Sequence, residues 1–573
     1  MNDEMPWLKH YGDVPANLDY PDYSLYEAVK NTSEKHPDWV AYEFLGRNVD
    51  YKSFLRRIDR FALCLYKLGI KKGDSVMICL PNCPQALYAF YGVSRCGAIA
   101  TMIHPLSVKN EIHFYLKNSK SKIVITMDIF CNNFIEAKEG TGLEKIVVTS
   151  LKDELNLLKG LIYSFTSGRK IPSMKECDCL LMWKDFMALS NEGVMPDIKV
   201  KGKDPAAILY SGGTTGKTKG ILLSNLNINA TALQTLTASQ CFHYENRTIL
   251  SVMPMFHGFG LCIGLHTFLM FGGKCILVPK FTPESYAKLI VKKRPNFIAG
   301  VPTLFEHIIR ADILKDADLS CLKGVFVGGD TLTIELRTKM DSFLSKHGCK
   351  SMLREGYGLT ECVTASCLTP KNEHRVGSIG IPFPDTLYKI VKIGTAEAVL
   401  YGQEGEICIS GPSVMIGYVD EPEETADTLR KHADGKVWLH TGDLGVMDEE
   451  GFVYFKQRFK RMIISSGYNI YPSQIENILD MHPAVYSSCA IGISDDLRQQ
   501  VVKAFVVLKK DIEKNDAVIK DIRNHCYENI SRYAVPKEIE IIDEMPRTKV
   551  GKVAYTELEA YERSKDYIKG MAH

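Results

Sequence analysis

Short apolar runs of strand length alternate with helical segments over about the first 450 residues, and this alternation restricts the fold most strongly. The runs at 75–80, 122–126 and 145–149 are apolar and mostly β-branched. Helical or turn-rich sequence separates them, and one helix is expected to begin at Asn82-Cys-Pro84, where an N-cap residue precedes proline. Strands and helices in this order predict α/β layers with largely parallel sheets.

The last hundred or so residues predict a separate small domain. After a basic stretch at 456–461 come a helix that begins at Pro472 with a capping box at Ser473 and Glu476, a strand at 501–508, a helix at about 515–530 and a strand at 538–542. Mixed strands and helices in about 110 residues are typical of a compact α+β unit. We therefore expect a large N-terminal domain over 1–458 and a small C-terminal domain over 459–573.

The composition is that of an ordinary globular protein. Of 573 residues, 45% are apolar and 24% charged, and 70 basic against 68 acidic side chains give a formal charge of +2. A role in binding nucleic acid is therefore not expected. The 17 cysteines include no CxxC pair, and the N-terminus lacks the apolar segment of a secretory signal. Both features predict a cytoplasmic protein with free, mostly buried thiols.

Two segments raise the question of membrane contact. The stretch 248–273 contains no Asp, Glu, Lys or Arg, but Pro254, two histidines and five glycines interrupt it. It is expected to form a short strand at 249–252, a turn and a buried helix. The stretch 151–164 has apolar residues at helical spacing and is followed by basic residues. It is either a helix that covers a sheet, which is the commoner case, or a helix on a membrane surface.

The segment 210–220, Tyr-Ser-Gly-Gly-Thr-Thr-Gly-Lys-Thr-Lys-Gly, carries the most informative chemical signal. Its glycines let backbone N–H groups approach an anion, and its hydroxyls and lysines supply further donors, so it can cradle a polyphosphate. A Walker A motif does not fit, because Ser211 stands where glycine is needed and a strand follows Gly220. The segment is either a flexible phosphate-binding hairpin or a plain structural turn.

Four further clusters favour phosphate binding. Residues 356–361, GYGLTE, offer an aromatic ring for a base, a hydroxyl, and a carboxylate, Glu361, suited to Mg²⁺. Asp443 ends a Thr-Gly-Asp turn and could accept both hydroxyls of a ribose. His257 stands beside an apolar run, and Lys552 ends the basic segment 546–552. Each cluster alone is weak because such turns are common, whereas the four in this order are specific.

Through these motifs the chain resembles the adenylate-forming superfamily, which includes acyl-CoA synthetases, firefly luciferase and nonribosomal-peptide adenylation domains. The resemblance runs from about Tyr26 to Leu558 and is strongest to fatty-acyl-CoA synthetases, through the stretches at 151–170 and 256–260. It implies two mixed sheets and a distorted β-barrel in the N-terminal domain, and a mobile C-terminal domain with a hinge near Lys460. It also implies an enzyme that uses ATP, Mg²⁺ and coenzyme A to convert a medium- or long-chain fatty acid to its CoA thioester through an acyl-adenylate.

The same resemblance assigns a role to each motif. The nucleotide would be bound by Ser211, Gly212, Gly213, Thr214, Thr215, Gly216 and Lys219 at the phosphates, Gly329, Asp330, Tyr357 and Gly358 at adenine, Asp443 at ribose, and Arg458 just before the hinge. Thr360 would contact the α-phosphate and Glu361 the Mg²⁺. Lys552 would bridge the α-phosphate and the substrate carboxylate, His257 would lie near that carboxylate, and Gly467 would admit the pantetheine of coenzyme A.

The sequence departs from the family pattern at several positions. Gly212 and Thr218 replace the usual Ser and Pro of the phosphate loop, Asp330-Thr331 replaces Ala-Pro, Arg461 replaces an acidic residue, and Tyr555 replaces Arg. The two replacements in the phosphate loop keep its backbone donors, and Tyr555 leaves Lys552 unaffected.

Several functions fit the motifs at this point. The uncharged run Phe259–Phe271 favours an apolar tunnel and therefore a fatty acid. The alternatives are transfer of the acyl group to a carrier-protein thiol, activation of aromatic acids, a P-loop ATPase, and a nucleotide-binding scaffold without catalysis. The expected partners are a carboxylic acid, ATP and coenzyme A. Peripheral membrane contact and the choice between a monomer and a homodimer stay open.

Overall fold

The computed structural model describes residues 5–155, 173–211, 218–241, 246–465, 468–495, 498–530, 532, 534–548 and 552–571. In chain order the strands are β1 (Val40–Phe44), β2 (Arg47–Asp50), β3 (Ser75–Cys79), β4 (Ile99–Met102), β5 (Ile123–Met127), β6 (Lys145–Thr149), β7 (Leu180–Met182), β8 (Pro205–Ser211), β9 (Lys219–Ser224), β10 (Thr248–Ser251), β11 (Lys274–Leu277), β12 (Phe297–Gly300), β13 (Gly324–Gly328), β14 (Leu353–Tyr357), β15 (Cys367–Leu368), β16 (Ile381–Pro382), β17 (Leu387–Val391), β18 (Glu404–Ser410), β19 (Gly417–Tyr418), β20 (Leu429–Lys431), β21 (Val437–Met447), β22 (Val453–Arg458), β23 (Ile463–Ser465), β24 (Tyr468–Ile470), β25 (Val485–Asp495), β26 (Gln499–Leu508) and β27 (Glu538–Ile541).

The helices lie between and around these strands. The α-helices are Leu25–Lys35, Tyr51–Lys67, Pro84–Arg95, Lys109–Ser119, Cys131–Ala137, Trp183–Ala188, Asn225–Ala238, Thr267–Met270, Pro283–Lys293, Pro302–Arg310, Ile334–Lys346, Pro422–Thr428, Pro472–Met481, Asp516–Asn529 and Tyr555–Met571. A π-helix, Phe259–His266, leads directly into the helix Thr267–Met270.

Two large mixed sheets form most of the N-terminal part. The nine-stranded sheet has the order β16-β15-β14-β13-β12-β10-β11-β1-β2, and the eight-stranded sheet has the order β19-β9-β8-β4-β3-β5-β6-β7. The central pairs of both sheets are parallel. Antiparallel pairs lie toward the edges, as in β14–β15 and β8–β9. The prediction of α/β layers with largely parallel sheets is confirmed.

The largest hydrophobic core joins these two sheets through buried helices. Phe54 and Phe61 on the helix Tyr51–Lys67 are fully buried, and the helix Pro84–Arg95 is buried along almost its whole length. Burial of one such side chain stabilises the fold by roughly 1.5–3 kcal/mol. The N-cap of the helix Pro84–Arg95 is Cys83, so the expectation that Asn82 caps it is wrong.

Two smaller sheets follow. β17, β18, β21, β20 and β22 form an antiparallel sheet that ends at Arg458, and β23 to β27 form a second sheet that begins at Ile463. Three helices pack with the second small sheet, as expected for an α+β unit. The expected capping box is wrong, because the Ser473 hydroxyl donates to the backbone of Lys456 and Glu476 pairs with Arg461.

The cysteine expectation holds with one exception. Cys177 and Cys179 form a disulfide, which contradicts the prediction of free thiols for this pair. The other 15 cysteines are free, and most of them are buried. Across the described ranges, no helix combines the length and apolar character needed to cross a membrane. The strand, turn and buried helix expected over 248–273 are confirmed, whereas most of the amphipathic helix expected over 151–164 lies outside the described residues.

Candidate active site

The glycine-threonine segment connects two antiparallel strands. β8 and β9 pair with Tyr210 opposite Gly220 and Ser211 opposite Lys219. This pairing confirms that the segment joins two strands and does not open a helix, as a Walker A loop would. Gly212, Gly213, Thr214, Thr215 and Gly216 lie outside the described residues.

The lysine that ends this segment is held by two residues from β19 and the helix after it. The Lys219 ammonium pairs with the Glu424 carboxylate and lies 4.8 Å from the centre of the Tyr418 ring. The Tyr418 hydroxyl donates a 2.9 Å hydrogen bond to Oε1 of Glu361. Tyr418 therefore links the lysine and the carboxylate that the sequence assigned to the triphosphate and its metal ion. Sequence reasoning missed Tyr418 and Glu424, which lie about 200 residues away in the chain from the lysine they contact.

The motif at 356–361, at the end of β14, meets the Thr-Gly-Asp motif, which lies within β21 and does not form the turn that the sequence suggested. The Tyr357 hydroxyl donates to Oδ2 of Asp443 at 2.6 Å, and Nε of Arg458 lies 3.3 Å from Oδ1 of the same carboxylate. Burial raises the pKa of Asp443, and the positive charge of Arg458 opposes that shift. Gly358 leaves no room for a side chain, because a Cβ atom there would lie 1.6 Å from the backbone oxygen of Thr364.

A strained turn follows Glu361. Val363 has φ +66° and ψ −59°, and the Thr364 N–H donates to the Cys362 carbonyl at 2.8 Å, which closes a γ-turn. Such a conformation is rare for a β-branched residue. The turn presses the Val363 carbonyl against Gly258, where a Cβ atom would lie only 1.8 Å from the oxygen. The absence of a side chain at Gly258 thus lets the segment that carries Glu361 pack closely against the segment that carries His257.

His257 lies in a turn that Asn82 anchors. The Asn82 amide donates to the carbonyls of Ser251 and Met253 and accepts from the N–H of Met255. Burial lowers the pKa of His257 to about 4, and the charge of Lys552 adds to the shift. The N–H of Phe259 donates to Nδ1 of His257 at 3.3 Å, so the ring proton is on Nε2. His257 is therefore a neutral hydrogen-bond donor at neutral pH.

Lys552, in the C-terminal part of the chain, lies close to Gly329. Its backbone N–H donates to the Thr548 hydroxyl at 3.1 Å, and its carbonyl accepts from the Thr548 N–H at 2.7 Å. Its Cε atom lies 4.0 Å from the position of a Cβ atom on Gly329, whose φ of +83° suits glycine. Burial lowers the pKa of Lys552, and the charge of Asp330 opposes that shift.

These groups surround one cavity of about 1010 Å³. Ten predicted site residues line it: Ser211, Lys219, His257, Gly329, Tyr357, Gly358, Thr360, Glu361, Arg458 and Lys552. Asp443 does not line the cavity itself, but it contacts two residues that do, Tyr357 and Arg458. The terminal lysine and the ends of the glycine-threonine segment, separated by more than 300 residues in the chain, thus share a single site.

Asp330 lies outside the lining of the cavity, and two further predicted positions are not fully described. Asp330 is exposed and does not line the cavity, and its carboxylate accepts the N–H of Thr331 at 2.9 Å. The backbone of Lys460 lies in the single 3-10 turn Phe459–Arg461, and its side chain is outside the described part of the structure. Gly467 also lies outside the described residues.

Comparison with known proteins identifies the family. Residues 29–419 match the family model described as AMP-binding enzyme, and residues 474–552 match the model described as AMP-binding enzyme C-terminal domain. The chain belongs to the AMP-binding enzymes. The expected membership of the adenylate-forming superfamily is thereby confirmed.

Relatives of this AMP-binding enzyme match it from end to end. The long-chain-fatty-acid–CoA ligase of Bacillus subtilis (strain 168) is 34% identical over 99% of this chain and 100% of the relative. The long-chain-fatty-acid–CoA ligase of Salmonella typhimurium (strain LT2) is 32% identical over 98% of each chain.

Two solved structures share the fold of this AMP-binding enzyme. ATP-bound MatB from Rhodopseudomonas palustris has a TM-score of 0.81 and 23% identity over 94% of this chain and 99% of its own. The anthranilate CoA ligase AuaEII in complex with anthranoyl-AMP has a TM-score of 0.83 and 22% identity over 97% of this chain and 99% of its own. At these identities the likeness concerns the fold alone.

Part of the lining of the AMP-binding enzyme's cavity is apolar. The apolar residues are Met102, Ile103, Phe256, Phe259, Ile263, Phe326, Ala365, Leu368 and Phe383. The run Phe259–Phe271, which was expected to line an apolar tunnel, contributes Phe259 and Ile263 to this lining. Its other large side chains, such as Leu261, Leu265 and Phe268, face the main core, because the helix packs between the two sheets.

Two of the departures from the family pattern contact each other. The Arg461 guanidinium lies 4.7 Å from the centre of the Tyr555 ring, and Tyr555 lines the cavity next to Val553 and Lys552. A cation over an aromatic face is attracted by about 0.5–2 kcal/mol. This pair connects the turn after β22 with the start of the last helix, close to Lys552.

Proposed function

We propose that this AMP-binding enzyme is an ATP-dependent acid–CoA ligase for medium- or long-chain fatty acids. It activates the acid as an acyl-adenylate with release of pyrophosphate and then transfers the acyl group to coenzyme A. The observation that carries the proposal is the shared cavity, which Lys552, Lys219 and Glu361 line together with a set of apolar side chains. The full-length relatives named as long-chain-fatty-acid–CoA ligases support the choice of acid.

The adenylation step brings two anions together. A carboxylate oxygen attacks the α-phosphorus, the bond from that phosphorus to the bridging oxygen breaks, and pyrophosphate leaves with the electron pair. Lys552 would bridge the carboxylate and the α-phosphate, and Lys219 would exchange Glu424 for the departing pyrophosphate. A well-placed donor to developing charge in a site of this kind is worth about 3–4 kcal/mol.

The donor set near Lys219 suits Mg²⁺. Glu361 is half-buried, Tyr418 occupies one of its oxygens, and Thr360 adds a hydroxyl beside it in the cavity wall. Magnesium in proteins is commonly bound by one or two carboxylates together with substrate phosphates. Glu361 would therefore hold the ion, which when bound would neutralise phosphate charge.

The neutral His257 is suited to orient the acid. Its Nδ1 is occupied by the Phe259 N–H, which leaves Nε2–H to donate one hydrogen bond to a carboxylate oxygen. A neutral donor orients the nucleophile without adding a second full positive charge to that of Lys552, which would hold the carboxylate in the ground state. Tyr357 and Asp443 would lie at the nucleoside, where the buried carboxylate accepts ribose hydroxyls.

Thioester formation requires Lys552 to leave the site. The thiol of coenzyme A attacks the acyl carbon, AMP departs, and the thiol proton passes to solvent. The lysine and the pantetheine chain cannot both occupy the same route to the acyl-adenylate, and this is a physical reason for a moving domain. We propose domains at 1–458 and 459–573 with the hinge near Lys460, since β22 ends at Arg458 and the next strand starts at Ile463. Gly467 would lie on the pantetheine path.

A panel of acids tests this function. Purified enzyme is incubated with ATP, Mg²⁺, coenzyme A and one acid from C6 to C18, benzoate, coumarate or an amino acid, and the CoA product is identified by mass spectrometry. We expect thioesters of the fatty acids, together with AMP and pyrophosphate. Activity restricted to aromatic acids or amino acids would overturn the choice of substrate.

Two further points are tested in parallel: which thiol accepts the acyl group, and which phosphate bond of ATP breaks. AMP release is measured with and without coenzyme A, and we expect coenzyme A to raise it strongly. Equal release in both cases would favour a carrier-protein thiol as the acceptor. Release of phosphate in place of pyrophosphate would contradict the adenylation step itself.

A further inference from the structure

A cluster of metal-binding side chains lies beside the nucleotide cavity. Glu406 and Cys408 on β18 face His440 on β21, and Cys408 is directly opposite His440 in the antiparallel register. One donor atom from each residue lies within 4.8 Å of the others. The exposed fractions of the three residues are 5%, 0% and 7%, so the donors are withdrawn from bulk water.

The two donor separations that involve His440 are close to those of a tetrahedral site. Nδ1 of His440 lies 2.9 Å from Oε2 of Glu406 and 3.6 Å from Sγ of Cys408. Zinc bonds of about 2.0–2.3 Å set neighbouring ligand atoms roughly 3.3–3.7 Å apart at tetrahedral angles. A movement of the Glu406 carboxylate by about half an ångström would lengthen its 2.9 Å distance from Nδ1 of His440 to the spacing of a tetrahedral site.

Each oxygen and nitrogen ligand also has a partner that fixes its orientation. The Gly442 N–H donates to the other oxygen of Glu406 at 3.0 Å. Nε2 of His440 lies 2.9 Å from Nε2 of His432, which is 5% exposed. Metal-ligating imidazoles almost always engage their second nitrogen in such a hydrogen bond, which sets the tautomer and the ring orientation.

We propose that Glu406, Cys408 and His440 form a binding site for a transition-metal cation of the zinc type, with His432 as the outer hydrogen-bond partner of His440. A thiolate, an imidazole and a carboxylate favour Zn²⁺ or Co²⁺ over Mg²⁺, so this site differs in chemistry from Glu361. Glu406 and His440 line the cavity, which leaves the fourth coordination position facing it.

Without the metal, hydrogen bonds satisfy the same groups. His440 donates through Nδ1 to Glu406, and His432 donates through Nε2 to His440. Metal binding at Nδ1 of His440 moves the proton of that ring to Nε2, where Nε2 of His432 accepts it. The proton of His432 moves to Nδ1, so the Lys389 ammonium, 3.4 Å from that nitrogen, turns toward Asp434. The Cys408 thiol releases one proton to solvent. Burial and the Glu406 charge raise the pKa of Cys408, so the thiol stays protonated until a cation displaces its proton. His440 is three residues before Asp443 in β21, so a bound metal would also affect the position of the carboxylate proposed to bind ribose.

Cobalt is the probe for this site. The full chain, freed of metal with a chelator and desalted, is titrated with CoCl₂ in the absence of substrates. We expect one Co²⁺ per chain, with visible bands of tetrahedral cobalt and a near-ultraviolet sulfur-to-cobalt band, all lost on addition of ZnCl₂. Cys408→Ser should abolish the near-ultraviolet band. Cys349→Ser, at another buried free cysteine, should keep it. His432→Ala should weaken the affinity roughly 10- to 100-fold.

The outcomes are decisive in either direction. A near-ultraviolet band that survives in Cys408→Ser, or that disappears in Cys349→Ser, would overturn the assignment, as would a wild-type chain that retains no cobalt after desalting. Should Cys408→Ser fail to fold, X-ray absorption of the zinc-loaded wild-type chain decides: one sulfur and at least two nitrogen or oxygen neighbours support the site, and the absence of sulfur refutes it. These measurements use no acid, ATP or coenzyme A, so their outcome does not depend on whether the proposed ligase activity is correct.

Discussion

The hydroxyl of Tyr418 offers a sharp test of how the proposed metal and phosphate groups are positioned. It donates to Glu361 at 2.9 Å, while the ring of the same residue lies 4.8 Å from the Lys219 ammonium. Burial raises the pKa of Tyr418, with a further contribution from the Glu361 charge, so the phenol stays protonated and remains a donor throughout the working range of pH. Tyr418→Phe removes the hydroxyl and keeps the ring.

The size of the effect follows from the charge on the acceptor. A hydrogen bond to a charged group contributes about 1.5–3 kcal/mol, which corresponds to roughly 10- to 100-fold in an equilibrium or a rate. The phenylalanine ring still faces Lys219, so the attraction between cation and ring is retained. Without its hydrogen bond, the Glu361 carboxylate can rotate away from the metal position, so the loss should be larger at low Mg²⁺ than at saturating Mg²⁺.

The assay is ATP–pyrophosphate exchange with a fatty acid across a range of Mg²⁺ concentrations. We expect Tyr418→Phe to lower kcat/KM for ATP roughly 10- to 100-fold and to raise the Mg²⁺ concentration at half-maximal rate. The matched control is Tyr561→Phe, which removes a hydroxyl that donates to Glu540 at 3.2 Å on the exposed surface. Exchange by Tyr418→Phe equal to that of the wild type at every Mg²⁺ concentration would refute the positioning role, and so would an equal loss in Tyr561→Phe.

Three other changes test different parts of the structure. Lys552→Ala should lower pyrophosphate exchange about 100- to 1,000-fold while nucleotide binding measured by calorimetry persists, and unchanged exchange would contradict its role. Gly358→Ala should lower the melting temperature and the soluble yield, because its Cβ atom would lie 1.6 Å from the Thr364 oxygen, whereas Gly142→Ala, with open space around it, should change neither. His266 is fully buried with a pKa lowered to about 3, so the unfolded state binds its proton first as the pH falls below about 6.5. The free energy of unfolding should therefore drop by about 1.4 kcal/mol per pH unit below that pH, and urea titrations of His266→Gln should lack this part of the slope.

Much of the fold follows from patterns that are local in the chain. The strands at 145–149, 501–508 and 538–542 were predictable because apolar and β-branched residues cluster over the length of a strand. The pairing of β8 with β9 was predictable because glycines and hydroxyls separate two apolar runs. The strand β25, Val485–Asp495, escaped prediction because its sequence mixes serines and glycine with apolar residues.

Prediction from the sequence was incomplete or wrong where a residue's surroundings depend on contacts between distant parts of the chain. Asn82 has the chemistry of a helix cap, yet its amide anchors the turn before His257. The uncharged run at 259–271 suits either a tunnel wall or a core helix, and packing between two sheets selects the core for most of it. Tyr418 and Glu424 carry no motif that marks them, since a tyrosine and a glutamate are common on any surface.

The order of the motifs along the chain was enough to establish the layered α/β class, the family and the residue types that suit a triphosphate and a carboxylate. Which of these residues meet was decided by the tertiary structure, because it depends on how sheets and domains pack over hundreds of residues. Packing brought Lys552 to the cavity that Lys219 also lines, joined Arg461 to Tyr555 and set Cys408 opposite His440. Chemical character is a property of each side chain, whereas proximity is a property of the whole fold.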